Sequence, residues 1–465
     1  MKRFLRRSKF LLFLAIAALV AAGCGSSDFA GADVYGPSGE PATVRFYNGP
    51  IYTGDGGEPL AAGEVWVEGG AISYVGPSRA DAPLFDAEID LDGNLLLPGF
   101  KNAHAHSPMT FLRSYADDLP LDQWLTEQVY PMEAKLTGED VYHLYQLAVL
   151  EYLAGGITAA FDMYPFTDDM ARAAADCGFR AVFCSPVNDF LDDVATMEAQ
   201  YLRLNAFSDL VTFHLGFHAE YTTSEETLRA IADLSRRYDA PVFFHSSETA
   251  GEVAGCLARH GLTPTAYFES LGLLDRGGGA YHCVHVTEAD LRIMREKGIG
   301  IVTNPASNCK LASGIAPVGD MLAAGIEVGI GTDGPASNNA LDMFREMYLV
   351  ASLQRIRNMD AAAIDAGTVL RMATEGSARV MRLGRCTRLA EGMLADCVVI
   401  DLKQPNMQPL NDIVKNVVYA GGKHNVLLTM VNGRILYEKG TYYIGRTPES
   451  VYERANAIVR RMTGR

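Results

Sequence analysis

Eight short apolar runs recur along this chain, and several of them end in a histidine or an acidic residue. Between the runs, apolar residues have helical spacing, as expected when strands and helices alternate to build a parallel sheet. Eight such units predict a closed (β/α)8 TIM barrel, an α/β fold whose chemistry lies at the carboxyl ends of the strands. The runs are Leu95–His106, Ile157–Tyr164, Arg180–Pro186, Val211–His218, Pro241–His245, Gly279–His285, Gly300–Pro305 and Glu327–Asp333.

The barrel is predicted to cover residues 98–387 and to carry a second, smaller domain. Strand-like segments separated by glycine turns occur over residues 42–97 and again over residues 388–445. We therefore expect one small β-sandwich-like domain built from both ends of the chain. Residues 446–465 are expected to form a C-terminal helix or tail.

The start of the chain has the composition of an export signal. Five basic residues precede an apolar stretch, and Ala-Ala-Gly then stands directly before Cys24. This order predicts a lipoprotein signal peptide over residues 1–24 and a Gly-, Ser- and Pro-rich linker over residues 25–41. We expect lipid on Cys24 to anchor the protein to the membrane, at the cell envelope on the extracytoplasmic side. The alternative is an ordinary secretory signal with an incidental cysteine.

Composition restricts the partners of the protein. A net charge of −16 argues against nucleic-acid binding, because nothing would neutralise the phosphates. Seven of the eight cysteines follow Cys24, and none forms C-x-x-C. This odd number predicts buried free thiols rather than a disulfide framework. The expected partner is a small molecule, and homo-oligomer formation stays open.

Potential metal ligands end several of the runs. His104 and His106 are two residues apart on a strand, so both side chains face the barrel interior. Three further potential ligands, His218, His245 and Asp333, end other strands. His245 and Asp333 complete a His3Asp set that suits zinc or ferrous iron and leaves room for a water. A divalent metal there would lower the pKa of that water.

Acid–base candidates stand close to these ligands. Glu248 follows His245 by three residues and is placed to move protons between a metal-activated water and a leaving group. The alternative interpretation is that Glu248 is a solvent-exposed glutamate in a loop. His282 ends a strand and is a candidate for hydrogen bonding to the reacting oxygen, with a structural histidine as the alternative. The role of His285 is left open.

Long, ordered motifs resemble the amidohydrolase superfamily, and within it the group of 5′-methylthioadenosine/S-adenosylhomocysteine deaminases. The resemblance extends over most of the chain from about residue 43 to residue 445. The stretches that carry it are Pro98–Leu125, His245–Thr249, His282–His285, Asn304–Val318, Gly331–Asn339 and Ala390–Asp401.

The resemblance implies a catalytic site with one divalent metal ion, zinc being favoured over iron. The metal ligands implied are His104, His106, His245 and Asp333. Glu248 is implied as the proton shuttle and His282 as the residue that orients the reacting water. Asp333 would also accept the second proton of that water.

The resemblance also implies contacts to the substrate. Glu133 falls where these deaminases bind ribose hydroxyls, while His218 and Ser337 fall near the purine. Trp124 is placed in the same pocket. The alternatives are an ordinary helix-face acid for Glu133 and a core residue for Trp124.

These residues predict a hydrolytic deaminase, acting on C–N bonds of cyclic amidines, that attacks C6 of an adenine-type nucleoside and releases ammonia. The resembling deaminases that accept S-adenosylhomocysteine can carry arginines after the third strand that pair with its carboxylate. No arginine occurs over residues 185–200 here, so adenosine or 5′-methylthioadenosine is expected. Arg203, just beyond this segment, is the remaining candidate partner for that carboxylate. The alternatives are a guanine or pterin deaminase or a triazine chlorohydrolase on the same scaffold, and, outside enzymes, a solute-binding lipoprotein.

Overall fold

The computed structural model of the chain describes residues 43–115, 117–119 and 123–464. The predicted signal peptide, the linker and Cys24 lie outside the described residues. Across the described ranges, no helix combines the length and the apolar character needed to cross a lipid bilayer.

Strands at both ends of the described chain flank a central series of strands and helices. The strands are β1 (Val44–Ile51), β2 (Leu60–Glu68), β3 (Ala71–Pro77), β4 (Ala87–Asp90), β5 (Leu95–Pro98), β6 (Phe100–Ala105), β7 (Ile157–Met163), β8 (Arg180–Cys184), β9 (Val211–Gly216), β10 (Val242–Ser246), β11 (Gly278–His282), β12 (Ile299–Thr303), β13 (Val328–Ile330), β14 (Cys397–Ile400), β15 (Val426–Val431), β16 (Arg434–Glu438) and β17 (Thr441–Tyr442).

Helices connect the central strands and follow the last one. The α-helices are Tyr130–Glu133, Gly138–Ala154, Thr167–Cys177, Val194–Leu204, Glu225–Tyr238, Ala250–His260, Pro264–Ser270, Glu288–Lys297, Pro305–Lys310, Val318–Ala323, Met343–Asn358, Ala366–Arg371, Ser377–Val380, Ile413–Tyr419 and Pro448–Thr463. Short 3-10 helices span Ser107–Leu112, Glu220–Thr222, Pro405–Met407 and Lys423–Asn425, and π-helical turns span Trp124–Val129 and Met372–Gly376.

Strands β6 to β13 form one eight-stranded sheet in chain order, and neighbouring strands along it pair in parallel. The sheet curls until its last strand reaches its first, where the amide of Asp333 donates to the carbonyl of His104 at 3.0 Å. The result is a nearly closed barrel of eight strands, which confirms the predicted fold. Because all the strands run in one direction, their carboxyl ends meet at one face.

The other nine strands form a separate mixed sheet from both ends of the chain. Strands β1 to β5 supply one half and β14 to β17 the other, and they join where β5 pairs antiparallel with β14. The sheet has its own hydrophobic cluster, which includes Val44, Phe46, Leu96, Val399 and Leu428. The second domain built from both flanks is therefore confirmed.

The first apolar run of the sequence divides between these two sheets at Gly99. Leu97 on one side of it pairs with Val398 in the β-domain, whereas the next strand enters the barrel. A Cβ atom on Gly99 would lie 2.1 Å from the Cγ2 atom of Thr158, so only glycine fits at this close approach. One continuous apolar run therefore serves two cores.

A buried ion pair joins the two domains. The guanidinium of Arg180, at the start of β8, donates to the carboxylate of Asp396 just before β14, with an Nε–Oδ2 distance of 2.7 Å. The amide of Asn432 donates to the same carboxylate at 2.8 Å. The side chains of Arg180 and Asp396 are 5% and 0% exposed, so each supplies an opposite charge to the other in the protein interior.

Candidate metal centre

His104 lies at the end of β6 and is completely buried. Its ring stacks on that of Tyr281, with centroids 3.8 Å apart, and neither ring nitrogen has a hydrogen-bond partner among the described residues. A buried imidazole left without any partner is costly, so the side chain fits a site for a cation. Burial lowers the pKa of His104 to about 3, which keeps the ring in the neutral form that binds metal ions.

Two further imidazoles point into the same space because backbone carbonyls hold their other nitrogens. The Nδ1 atom of His106 lies 2.5 Å from the carbonyl of Met163, and that of His245 lies 2.8 Å from the carbonyl of His218. A carbonyl oxygen only accepts, so Nδ1 carries the proton in both rings and Nε2 keeps its lone pair. One nitrogen each of His104, His106 and His245 lies within 4.8 Å of the other two.

Asp333 completes the cluster from the loop that follows β13. Its Oδ1 atom lies 3.6 Å from Nε2 of His104 and 3.3 Å from Nε2 of His106. Its Oδ2 atom accepts hydrogen bonds from the hydroxyls of Ser307 at 2.5 Å and Ser337 at 2.8 Å. Burial opposes ionisation, but His104 and the other imidazoles outweigh it and hold the pKa of Asp333 well below its usual range. The carboxylate is therefore available as an anionic ligand.

His282 and Glu248 lie beside these groups, at the ends of β11 and β10. A ring nitrogen of His282 lies within 4.8 Å of potential ligand atoms of His104 and Asp333. Its Nδ1 atom lies 2.9 Å from Oδ1 of Asn308 and 3.9 Å from Oε1 of Glu248. Burial alone would lower the pKa of His282, but the carboxylates of Glu248 and Asp333 outweigh it and raise the pKa. Burial raises the pKa of Glu248, as suits a group that both takes and gives protons.

Glu133 approaches the cluster through Tyr164. The phenol of Tyr164 donates to Oε1 of Glu133 at 2.6 Å, and the Tyr164 ring lies 6.4 Å from that of His106. Burial raises the pKa of Glu133. The structure therefore brings this acid to the histidine cluster rather than to an outer helix face.

The other three residues predicted to contact substrate lie in different surroundings. The His218 ring lies 4.9 Å from that of His245, so it adjoins the cluster, and its Nδ1 atom lies 2.9 Å from the hydroxyl of Thr222. Ser337 donates to the Asp333 carboxylate, as described above. Trp124 is 6% exposed and packs in the large hydrophobic cluster around the barrel.

Several side chains that complete the site were not singled out in the sequence. Ser307, Asn308 and Ser313 each bond to a member of the cluster or to Glu248. All three lie in the Asn304–Val318 motif, which pointed to the segment without distinguishing its side chains. The Nε2 atom of His285, whose role the sequence left open, lies 2.8 Å from the carbonyl of Ser313, which indicates a structural contact.

The fold and the cluster agree with the comparison to known families. The pattern of the amidohydrolase family matches residues 95–436, which include the whole barrel and the cluster. The chain belongs to the amidohydrolase family.

Individual relatives are similar over most of their length. The 5-methylthioadenosine/S-adenosylhomocysteine deaminase of Desulforudis audaxviator is 40% identical over 408 residues, which cover 86% of this chain and 95% of the relative. The protein of the same name from Syntrophobacter fumaroxidans is 38% identical over 430 residues, or 90% and 98% of the two chains. A crystal structure of an adenosine deaminase from Xanthomonas campestris with bound zinc matches with a TM-score of 0.87 and 34% identity, covering 92% of this chain and all of that one.

Proposed function

We propose that this protein is a metal-dependent hydrolytic deaminase of adenine-type nucleosides. The observation that carries the proposal is the cluster of four histidines and Asp333 with the buried carboxylate of Glu248 beside it. A binding protein needs no such proton carrier, which argues against a solute-binding lipoprotein. The names of the two relatives described above, and that of the similar adenosine deaminase, favour adenine-type nucleosides over other heterocycles.

The donor set suits one divalent metal ion, and we propose zinc. Imidazole and carboxylate groups are both zinc ligands in proteins, and the similar adenosine deaminase binds zinc. A metal held by His104, His106, His245 and Asp333 would supply a water of lowered pKa and polarise the reacting centre.

The remaining chemistry belongs to the side chains around it. Glu248 would take one proton from the attacking water and deliver it to N1 of the adenine ring. His282, held by Asn308, would hydrogen-bond the attacking oxygen at C6. Asp333, whose carboxylate accepts hydrogen bonds from Ser307 and Ser337, would accept the second proton of that water, and Glu248 would carry this proton to the leaving amine. Ammonia and a hypoxanthine-type nucleoside would leave.

The nucleoside would extend from this centre towards Glu133 and His218. Glu133, oriented by Tyr164, would accept hydrogen bonds from the ribose hydroxyls, and His218 would contact the purine. Ser337 donates to Asp333 and Trp124 packs in the hydrophobic core, so we propose that both act through other groups.

The group at the 5′ position of the nucleoside would set the preference among adenine nucleosides. Arg203, the first arginine after β8 along the chain, donates to Asp168 at 2.6 Å, and both side chains are about half exposed. A homocysteine carboxylate would therefore lack a free guanidinium partner there. Losing such a charge-assisted hydrogen bond costs about 1.5–3 kcal/mol. We therefore propose adenosine or 5′-methylthioadenosine as the preferred substrate over S-adenosylhomocysteine.

An ammonia-release assay on purified protein loaded with zinc tests the function. The panel contains adenosine, 5′-methylthioadenosine, S-adenosylhomocysteine, guanine, a pterin and a chlorotriazine. We expect turnover of the first two with kcat/KM about 10- to 100-fold above that of S-adenosylhomocysteine. Turnover of only guanine, pterin or triazine would overturn the nucleoside assignment, and ligand left unchanged after long incubation would favour a binding protein.

We also propose that the enzyme acts at the cell envelope, anchored by lipid on Cys24. The support is the order of basic, apolar and small residues before that cysteine. The substrate would then meet the enzyme outside the cytoplasm.

A further inference from the structure

We infer that Glu252 is a positioning residue for the reaction, because its carboxylate holds the backbone turn that carries Glu248. Since Glu248 is the proton shuttle of the proposed reaction, this role of Glu252 rests on that proposed function. Glu252 itself lies in the first turn of the helix Ala250–His260 and is outside the metal cluster.

The two oxygens of Glu252 accept from two consecutive backbone amides. Oε1 accepts from the amide of Ser247 at 2.8 Å, and Oε2 accepts from the amide of Glu248 at 2.8 Å. Glu252 is 8% exposed, and its own amide donates to the hydroxyl of the N-cap residue Thr249 at 3.1 Å. The side chain therefore reaches past the helix cap to the two residues before it.

The turn needs stabilisation from Glu252 because its backbone conformation is unfavourable for a residue other than glycine. Ser247 has φ of 53°, a left-handed conformation that costs a non-glycine residue on the order of 1 kcal/mol. The chain adopts it directly after β10, where it turns towards the helix. The carbonyl of Ser247 accepts from the amide of His285 at 2.9 Å, so Glu252 and the neighbouring loop hold the turn from two sides.

The side chain of Glu248 is held only loosely by its own contacts. Its Oε1 atom lies 3.4 Å from the hydroxyl of Ser313 and 3.9 Å from Nδ1 of His282, distances too long for strong hydrogen bonds. Its position relative to the reacting atoms therefore depends on where the backbone of Glu248 is held. That backbone bonds to Glu252.

The geometry requires a carboxylate at this position. Both oxygens must accept at once, and a glutamine would present an N–H group to one of the two amide donors. Burial raises the pKa of Glu252 to about 7, so the ionised form depends on the amides that bond to it.

The test is Glu252→Gln in the zinc-loaded enzyme, with Glu288→Gln as the control. Glu288 is an exposed glutamate in the first turn of another helix that follows a barrel strand. For Glu252→Gln we expect kcat to fall about 10- to 100-fold while KM stays within about twofold, because the shuttle is displaced and the pocket is not. Metal content and the cooperative unfolding transition should stay at the wild-type level, and Glu288→Gln should match wild type throughout.

Hydrogen exchange gives a second readout that needs no turnover. Peptides that contain residues 246–249 should exchange faster in Glu252→Gln, because two protected amides lose their acceptors. If the wild-type protein releases no ammonia from any nucleoside, the proposed function fails, whereas the exchange result still reports whether Glu252 holds this turn.

Three results would overturn the inference. They are kcat within about twofold of wild type, unchanged exchange at residues 246–249, or a fall in kcat that comes with loss of metal from a folded protein. Should the glutamine variant fail to fold, Glu252→Asp decides: this shorter carboxylate should give an intermediate kcat and local exchange at unchanged KM, and wild-type values for both would overturn the role.

Discussion

At the scale of single residues, the site combines groups whose charges are set by burial and by one another. His104 is kept neutral by burial, and Asp333 is kept ionised by the imidazoles around it. Glu248 is shifted the other way, since burial favours its protonated form. The proposed ligands and the proposed proton carrier therefore differ in their surroundings, which would let one site hold a metal ion and also move protons.

Replacing Glu248 by glutamine should abolish turnover and leave the metal in place. The side chain is predicted to carry protons and is not a ligand, and loss of a general acid–base group costs about 10²–10⁴-fold in rate. Ammonia release and elemental analysis check the two halves of this prediction. Glu226→Gln, an exposed glutamate in the first turn of another helix, should have no effect. More than about a tenth of the wild-type kcat in Glu248→Gln would contradict the role.

The ligand assignment separates three residues of the cluster by their effect on metal content. His104→Ala and Asp333→Ala should lose metal, because each removes a proposed ligand. His282→Asn should retain it, since His282 is proposed to hydrogen-bond the attacking oxygen and is not one of the four proposed ligands. Elemental analysis of the purified variants measures this, with His143→Ala on an outer helix as the control. Equal metal loss in all three cluster variants would show that His282 is also a ligand.

At the scale of elements, the candidate catalytic residues lie at the strand ends, and contacts between the surrounding helices bear on which substrate is preferred. The helix Val194–Leu204 carries Arg203, and the helix Thr167–Cys177 carries Asp168. The bond between these two side chains joins neighbouring outer helices. Arg203, which the sequence left as a candidate partner for the S-adenosylhomocysteine carboxylate, is therefore paired with a carboxylate of the neighbouring helix.

Arg203→Ala should leave the reaction with S-adenosylhomocysteine unchanged. Because the guanidinium bonds to Asp168, its loss should alter kcat/KM by less than about twofold for S-adenosylhomocysteine and for 5′-methylthioadenosine alike. Steady-state kinetics with both nucleosides measures this, and Arg229→Ala, in an exposed ion pair on another helix, is the control. A selective fall of about tenfold or more with S-adenosylhomocysteine would place Arg203 in the pocket.

At the scale of the whole molecule, the barrel and the β-domain share one apolar run and one buried ion pair. Gly99 divides the run, and Arg180 with Asp396 forms the pair. Ionisation of Asp396 is favoured because Arg180 outweighs the effect of burial and lowers its pKa. Removing one member of such a pair leaves the other buried and uncompensated.

Asp396→Asn should therefore destabilise the folded protein strongly. The expected loss in the free energy of unfolding is about 3–5 kcal/mol, since the Arg180 guanidinium would remain buried without a carboxylate. Asp92→Asn breaks an ion pair with Lys403 in which both side chains are mostly exposed, and should cost about 0–1 kcal/mol. Urea unfolding of both variants gives the comparison, and equal costs would contradict the role of the buried pair.

Localisation is tested with the intact chain in a bacterial host. Cys24→Ser should move the protein from the membrane fraction to a soluble fraction, because the proposed lipid attachment site is lost. Cys309→Ser removes an exposed cysteine of the barrel and should leave fractionation unchanged. If the Cys24→Ser protein stays with the membranes just as the unmodified protein does, lipid on Cys24 is not the anchor.

The barrel, the second domain and the histidine cluster were predictable from the sequence. Strand and helix periodicity is local, and parallel strands bring their carboxyl ends together, so His104, His245 and Asp333 had to meet once the barrel was recognised.

Only the tertiary structure decided the contacts between segments that are distant in sequence and the contacts that depend on backbone conformation. The hydroxyl of Ser337 donates to Asp333, and Trp124 packs in the hydrophobic core. Glu252 reaches back to the turn before its helix. Residue type and spacing say that a group is polar and near a strand end, but the choice among its partners depends on distances of a few ångströms, which packing alone determines.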